Sequence, residues 1–285
     1  MFSRNAKDEI AAVREQRPCC AATFVGVLVR LGTRDPGSST VALPTAHAAT
    51  ARAFVAAAHA RNVVAHASHS HGGTGSRWVV HVGPSPGATT APAQPQVAPR
   101  RTCCRRAFLR AAFLICGSVS DPGHGYHLEF LCRDDDTARA LSDAIARLGG
   151  DVGLTRRRGR ALAYVKDAQT VALLLGNMGA TRALLRLEEQ RALRQTKNSI
   201  RRTVNSEAAN AARAAVSAAR QRDAARRVLA SANGRALSSA VREAARLRIA
   251  HPSRTLAELA RAARPPITKA AMANRMRLLE RLAKR

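Results

Sequence analysis

The chain has 285 residues, enough for about two to three domains, with 47 Lys and Arg against 19 Asp and Glu and a formal net charge of +28. The charge is uneven: the stretch from Arg182 to Arg285 holds 25 basic and 7 acidic residues, an electrostatic footprint of nucleic-acid binding that an Ala- and Arg-rich coding bias would not concentrate in one third of the chain. No apolar run approaches the roughly 18 residues of a membrane span, the charged N-terminus has no signal-like apolar core, and six cysteines in such a chain read as reduced thiols, so a cytoplasmic, nucleoid-associated protein is expected.

In chain order, residues 7–15 are predicted as a short opening helix. Residues 22–31 follow as a helix, with Phe24, Val27, Leu28 and Leu31 at helical spacing. Gly32 ends it, and Asp35-Pro36-Gly37 reads as a turn, with room for a short strand before it. A strand is expected at 40–43, a helix at 46–60, and two strands at 63–69 and 78–82 joined through Gly72-Gly73-Thr74-Gly75. His66, His69 and His71 are placed on one face of the first of these strands, as a solvated edge rather than a metal site. Residues 84–99 are uncharged and rich in Pro, Ala and Thr, a flexible linker.

The same order then returns. A helix is expected at 107–115 and a strand at 126–132. Asp134-Asp135-Asp136 start a helix running to 148, a hairpin joins 152–156 to 160–165, and a closing helix covers 168–175. Arg156-Arg157-Arg158 falls in the hairpin turn as a basic patch. Cys19-Cys20, Phe24, Asp35-Pro36-Gly37 and Thr50-Ala51-Arg52-Ala53 recur as Cys103-Cys104, Phe108, Asp121-Pro122-Gly123 and Thr137-Ala138-Arg139-Ala140, at offsets drifting from 84 to 87 residues. A long fixed period of this kind means two copies of one unit. Adjacent cysteines chelate poorly, because structural zinc sites space their ligands by about two to four residues. Each pair therefore reads as small buried residues at a helix start, and no metal or cofactor is expected.

From 183 to 229 the chain reads as long, basic, Ala-rich helix with a break near 203–206. Arg201, Arg202, Asn205 and Asn210, with Arg213, either clamp DNA phosphates or belong to a helix junction capped by Ser206. Gly234 opens a last module with helices at 238–250, 256–263 and 268–282. Thr255 can cap the second, Leu259 and Ala263 give it a buried side, and Ile267 packs the turn. Thr268 caps the third, whose Met272, Met276 and Leu279 face inward and whose Lys269, Ala270, Ala273, Asn274 and Arg277 face outward. This is the pattern of a helix-turn-helix, in which Asn can pair with adenine and Arg or Lys with guanine in the major groove. Arg275 and Arg281 are placed for phosphate. A plain three-helix bundle with a charged surface is the alternative.

Two mixed units packed through a helix resemble homing endonucleases of the LAGLIDADG type. In those enzymes an acid at the helix C-terminus holds Mg²⁺ for phosphodiester cleavage. The stretch Leu109-Arg110-Ala111-Ala112-Phe113-Leu114-Ile115-Cys116-Gly117-Ser118 looks like that motif, with Cys116 at the acid position; Leu31 takes it in the first copy, and neither is a hard oxygen ligand. Asp35 and Asp121 lie further on, in turns that they stabilise. With the C-terminal module, nearly the whole chain resembles the WhiA family of bacterial sporulation and cell-division regulators. The resemblance is carried by Cys103-Cys104-Arg105-Arg106-Ala107-Phe108, Gly117-Ser118-Val119-Ser120-Asp121-Pro122, Tyr126-His127-Leu128-Glu129 and the stretch from Arg202 to Asn210. Leu247-Arg248-Ile249-Ala250-His251-Pro252 and Pro265-Pro266-Ile267-Thr268-Lys269 complete it. Ser206 stands where the family usually has Cys, and Ala270, Ala271 and Ala273 replace bulkier or polar residues.

The resemblance implies an α+β fold: duplicated LAGLIDADG-like units at 1–83 and 102–181, a linker at 84–101, basic connector helices at 182–233 and an all-α helix-turn-helix domain at 234–285. It implies a catalytically empty, sequence-specific transcription regulator. Its partners would be double-stranded DNA and a protein co-regulator, with no membrane and no small-molecule substrate. An active homing endonuclease and a general nucleoid-packing protein are the competing readings.

Overall fold

The computed structural model describes residues 1–34, 40–72, 75–83, 99–231 and 236–284, and the chain divides into two compact units, Met1–Arg194 and Gln195–Arg285. The first unit is α+β and the second is all helix.

The first unit opens with α1 (Phe2–Ala12), five residues earlier than expected. The reason is a stripe, Phe2, Ala6 and Ile10, all buried at four-residue spacing. The duplicated element order then appears in full. The first copy is α2 (Pro18–Leu31), β1 (Thr33–Arg34), β2 (Val41–Thr45), α3 (Ala48–His59), β3 (Ala65–Gly72) and β4 (Gly75–Val82). The second is α4 (Thr102–Cys116), β5 (Gly117–Val119), β6 (Leu128–Leu131), α5 (Asp135–Ala146), β7 (Gly153–Arg157) and β8 (Arg160–Val165). Both sheets are antiparallel and share one strand order, β1-β2-β4-β3 and β5-β6-β8-β7. The pleat turns alternate residues inward. Leu43 pairs with Val80 and Val41 with Val82 in one sheet, and Phe130 with Ala163 and Leu128 with Val165 in the other, all buried. The Asp-Pro-Gly turn at 35–37, residues 73–74 and the linker at 84–98 lie outside the described residues.

The two copies share one apolar core, in which Phe24, Leu28 and Phe54 of the first continue into Phe113, Phe130 and Leu141 of the second. Gly32 and Gly117 end α2 and α4 at matching places. A Cβ at Gly32 would collide with Val41, and one at Gly117 with Phe113, so the strand can fold back closely only without a side chain. Arg110 of α4 is buried and makes two bonds to Glu15, Nε to Oε1 at 2.6 Å and Nη2 to Oε2 at 2.8 Å. After α6 (Ala168–Met178), Glu9 of α1 accepts from the backbone N–H groups of Arg182 and Ala183 at 2.7 and 3.1 Å. A carboxylate there satisfies orphan donors at the start of α7 (Thr181–Ala230).

Two expectations need correction. The helix expected to break near 203–206 does not: α7 is continuous from Thr181 to Ala230. Thr203, Asn205 and Ser206 are poor helix formers by only tenths of a kcal/mol each, about 0.5 relative to Ala, while the flanking alanines favour helix and no Gly or Pro intervenes. Ser206 is therefore mid-helix and caps nothing. His66 and His69 do not share a face either. His66 stacks on His81 across the strand pair at 4.7 Å, whereas His69 packs on Trp78 at 4.5 Å. Their separation of three residues puts them on opposite sides of the pleat.

Candidate nucleic-acid interface

The second unit closes around a small core. Ala225 and Val228 from the end of α7 pack with Val241, Ala244 and Ala245 of α8 (Ser239–Ala250), Leu259 and Ala260 of α9 (Leu256–Ala262), and Met272, Met276 and Leu279 of α10 (Lys269–Leu282). The core of the expected 234–285 module thus includes the end of the helix before it.

Local chemistry fixes each helix start. Thr255 and Glu258 form a capping box: Glu258 N–H donates to Thr255 Oγ1 at 3.3 Å, and Thr255 N–H donates to Glu258 Oε2 at 2.7 Å. Those bonds from Thr255 hold the Glu258 carboxyl below its ordinary range. Thr268 caps α10 by accepting from Ala271 N–H at 3.1 Å. The turn between α9 and α10 is closed by Ile267 N–H donating to Ala260 O at 3.0 Å and Arg264 N–H to Glu243 Oε1 at 2.7 Å.

Arg248 of α8 orders the preceding loop. Its side chain is buried, and Nη1 donates to Arg254 O at 2.7 Å and Pro252 O at 3.5 Å. Burial pulls its pKa down, no carboxylate pairs with it among the described residues, and Nε is unsatisfied.

This framework presents one face of α10. Met272, Met276 and Leu279 are buried, and Thr268, Lys269, Ala270, Asn274, Arg277 and Arg281 are exposed. Ala270, Asn274, Arg277 and Arg281 follow each other at four, three and four residues, one stripe along the helix. Ala273 is half-buried at its margin. Asn274, Arg277, Arg281 and Lys284 line a surface depression with Glu280, whose carboxylate is paired with Arg220 at 3.3 Å.

Arg275 departs from its expected place at the phosphates. Its Nη1 donates to Ala240 O at 3.2 Å and lies 3.8 Å from Glu243, so the side chain binds α10 to α8 and is half-buried. The sequence hint was its position one residue before Met276, at the edge of the buried stripe.

Residues 195–216 of α7 are all exposed, and Arg201, Arg202, Asn205 and Asn210 stand in that stretch. Asn210 Oδ1 accepts from Arg213 Nη2 at 2.6 Å. On the continuous helix Arg201, Arg202 and Asn205, at i, i+1 and i+4, fall on one face, and Asn210 lies on the opposite side.

In the first unit the C-terminal ends of α2 and α4 carry Leu31 and Cys116 where a nuclease would carry acids. Cys116 Sγ donates to Ala112 O at 3.2 Å; its hydrogen bond with Cys132 and its burial push the thiol well above its usual range. Beside it, Lys7 is buried and donates to Leu114 O at 3.2 Å, its pKa pulled down by burial and partly restored by Cys116. Asp121 accepts from Gly123 N–H at 2.9 Å and pairs with Arg186 at 3.0 Å, which makes it the turn-stabilising residue expected.

At the opposite ends of the same helices, each cysteine pair occupies the first turn, as expected. The pairs also converge. The sulfurs of Cys19, Cys20, Cys103 and Cys104 all lie within 4.8 Å of one another. Judging each pair alone misses this. The readable signal was the common offset of 84 residues, which puts both pairs at one position of two helices that pack together.

Comparison with known proteins agrees with this division. The WhiA LAGLIDADG-like domain model matches residues 105–197, and the WhiA C-terminal HTH domain model matches 200–283. A "Probable cell division protein WhiA" of Symbiobacterium thermophilum is 41% identical over 180 residues, covering 63% of this chain and 57% of that relative. One of Desulforudis audaxviator is 32% identical over 301 residues, covering 99% and 96%. The crystal structure of full-length DUF199/WhiA from Thermatoga maritima aligns over 100% of this chain and 98% of its own, with a TM-score of 0.64 at 20% identity. Duplicated scaffold, helix-turn-helix and end-to-end likeness together make this chain a member of the WhiA family.

Proposed function

We propose that the chain is a sequence-specific DNA-binding regulator of cell-division and sporulation genes, and that it cleaves no DNA. The observation that carries the reading is the α10 stripe: an amide and two guanidiniums exposed on a helix whose opposite side is locked in a core. Asn274 and Arg277 would read base edges, with Thr268, Lys269 and Ala270 at the helix start close to the groove and Arg281 on phosphate. Arg201, Arg202, Asn205 and Asn210 add phosphate attraction along α7 rather than base readout. The empty nuclease-like unit serves as a surface for double-stranded DNA or for a protein co-regulator. The names of the relatives support the link to cell division, and the buried ammonium of Lys7 beside Cys116 argues against a bound Mg²⁺ there.

The test is a titration of labelled duplexes chosen by genome-wide mapping of bound DNA. Selective binding is expected, with affinity falling steeply as salt rises. Lys269→Ala with Asn274→Ala and Arg277→Ala should abolish selectivity and leave a weaker, sequence-blind affinity. Equal affinity for all sequences in the unaltered protein would support a nucleoid-packing role instead. Site-specific nicks with Mg²⁺, lost in Asp121→Ala, would overturn the non-cleaving reading.

A further inference from the structure

α2 and α4 pack side by side, so their first turns bring two cysteine pairs together from positions 84 residues apart. Within the pairs the sulfurs are 3.9 Å (Cys19 to Cys20) and 4.0 Å (Cys103 to Cys104) apart, and all four fall within 4.8 Å. A tetrahedral zinc with Zn–S bonds of about 2.3 Å requires sulfurs about 3.8 Å apart, so small side-chain shifts would complete the shell. Cys20 and Cys104 are buried, Cys19 and Cys103 are half-buried, and Ala107 closes the floor.

The surroundings suit an anionic centre. Four thiolates around a divalent cation carry a net negative charge. They would sit at the N-termini of two helices of 14 and 15 residues, neither with a side-chain cap. The positive ends of both helix dipoles lie at the turns that carry the sulfurs. Arg17 and Arg101 stand at the N-caps of the two helices, and Arg105 and Arg106 follow in α4. Four sulfur ligands, with no other donor group in the cluster among the described residues, favour a borderline-soft ion over Mg²⁺ or Ca²⁺. The sulfurs are also too close together to surround an iron–sulfur cubane.

We propose that Cys19, Cys20, Cys103 and Cys104 bind one zinc-class divalent cation in a closed structural site that staples the first repeat to the second. With all four positions filled by protein there is no place for substrate, so the role is to hold α2 against α4. The inference is independent of the DNA-binding reading, since its readout is metal content.

Full-length protein purified without chelator from zinc-supplemented medium should contain one zinc per chain by elemental mass spectrometry. Growth with cobalt should yield the intense visible d–d bands and near-ultraviolet charge-transfer bands of tetrahedral tetrathiolate Co²⁺. Cys19→Ser with Cys103→Ser should lose both signals. Cys116→Ser with Cys132→Ser, at the other end of the helices, should keep one zinc per chain. The metal content and cobalt spectrum of the unaltered protein decide the matter even if the first variant fails to fold. No zinc together with four freely reactive thiols, a disulfide among the four by mass spectrometry, or iron in place of zinc would each overturn the proposal.

Discussion

The two units handle positive charge in opposite ways. Met1–Arg194 has 26 basic and 14 acidic residues; its buried Arg110 is matched by Glu15, and Arg30, Arg157 and Arg186 pair with Asp134, Glu129 and Asp121. Gln195–Arg285 has 21 basic and 5 acidic residues; Arg248, the one buried arginine among its described residues, donates to backbone carbonyls, and Arg277 and Arg281 of α10 stand exposed. A unit whose buried arginine has a carboxylate partner is built as a frame. A unit with cations in excess and exposed on one helix is built to meet an anion. Where the cations stand is therefore more telling than net charge, which both units share in sign.

The sharpest way to break the comparison is to unmatch a pair in the frame. The Arg110 and Glu15 side chains are 11% and 6% exposed, so removing one partner leaves a buried charge uncompensated. Glu15→Ala should destabilise the first unit by about 3–5 kcal/mol. Glu15→Ala with Arg110→Met should recover part of that loss, because the orphaned charge goes too. Hydrogen exchange across α1, α4 and α6 reads the effect separately from the second unit. No gain in exchange in Glu15→Ala would mean that the pair contributes nothing.

Arg248 should give the next largest effect. Its charge organises two carbonyls at the entry to α9, and bonds from charged donors contribute about 1.5–3 kcal/mol each where buried. Arg248→Ala is expected to destabilise α8 to α10 by about 2–3 kcal/mol and to lower DNA affinity only through the unfolded fraction. Lower affinity with unchanged exchange protection in α8 to α10 would instead give Arg248 a direct part in binding.

Much of this was legible in the sequence. Local signals placed the last three helices of the second unit, and the recurring Cys, Phe and Asp-Pro-Gly marks revealed the duplication. What escaped depended on distant partners. Arg275 reads as a phosphate contact until Glu243, on another helix, is seen beside it. Lys7 is one lysine in an opening helix until Leu114 and Phe113 close over it. The four sulfurs meet only because α2 and α4 pack in parallel register. The continuity of α7 is of another kind: preferences of tenths of a kcal/mol at Thr203, Asn205 and Ser206 do not stop a helix that the surrounding alanines carry on.

Arg275 and Arg277, two residues apart, sharpen the comparison within one helix. Arg277→Ala should leave stability unchanged and cost about 1–3 kcal/mol of discrimination against a wrong base. Arg275→Ala should do the reverse, loosening α10 from α8 while keeping the ratio of specific to nonspecific affinity. Competition titrations and thermal melts of both variants measure the two quantities, and a loss of discrimination in Arg275→Ala would place it in the interface.

The smallest effect is the response to acid. Burial pushes the Glu129 carboxyl up, but the hydrogen bonds from His127 and Arg157 outweigh it and hold its pKa below the ordinary carboxylate value. Asp134 is likewise pushed up by burial and held down on balance by the N–H and hydroxyl of Thr137. A carboxyl with a depressed folded pKa adds stability above its unfolded pKa and loses it as pH falls through the folded value. The first unit should therefore be at full strength near neutrality and weaken only on the acid side of the ordinary carboxylate range. Glu129→Gln should flatten that slope at little cost near pH 7, because its neutral amide still accepts from Arg157. Melting curves taken through the acid range would show it. An unchanged slope in Glu129→Gln would shift the acid sensitivity of the frame to Asp134 and the start of α5.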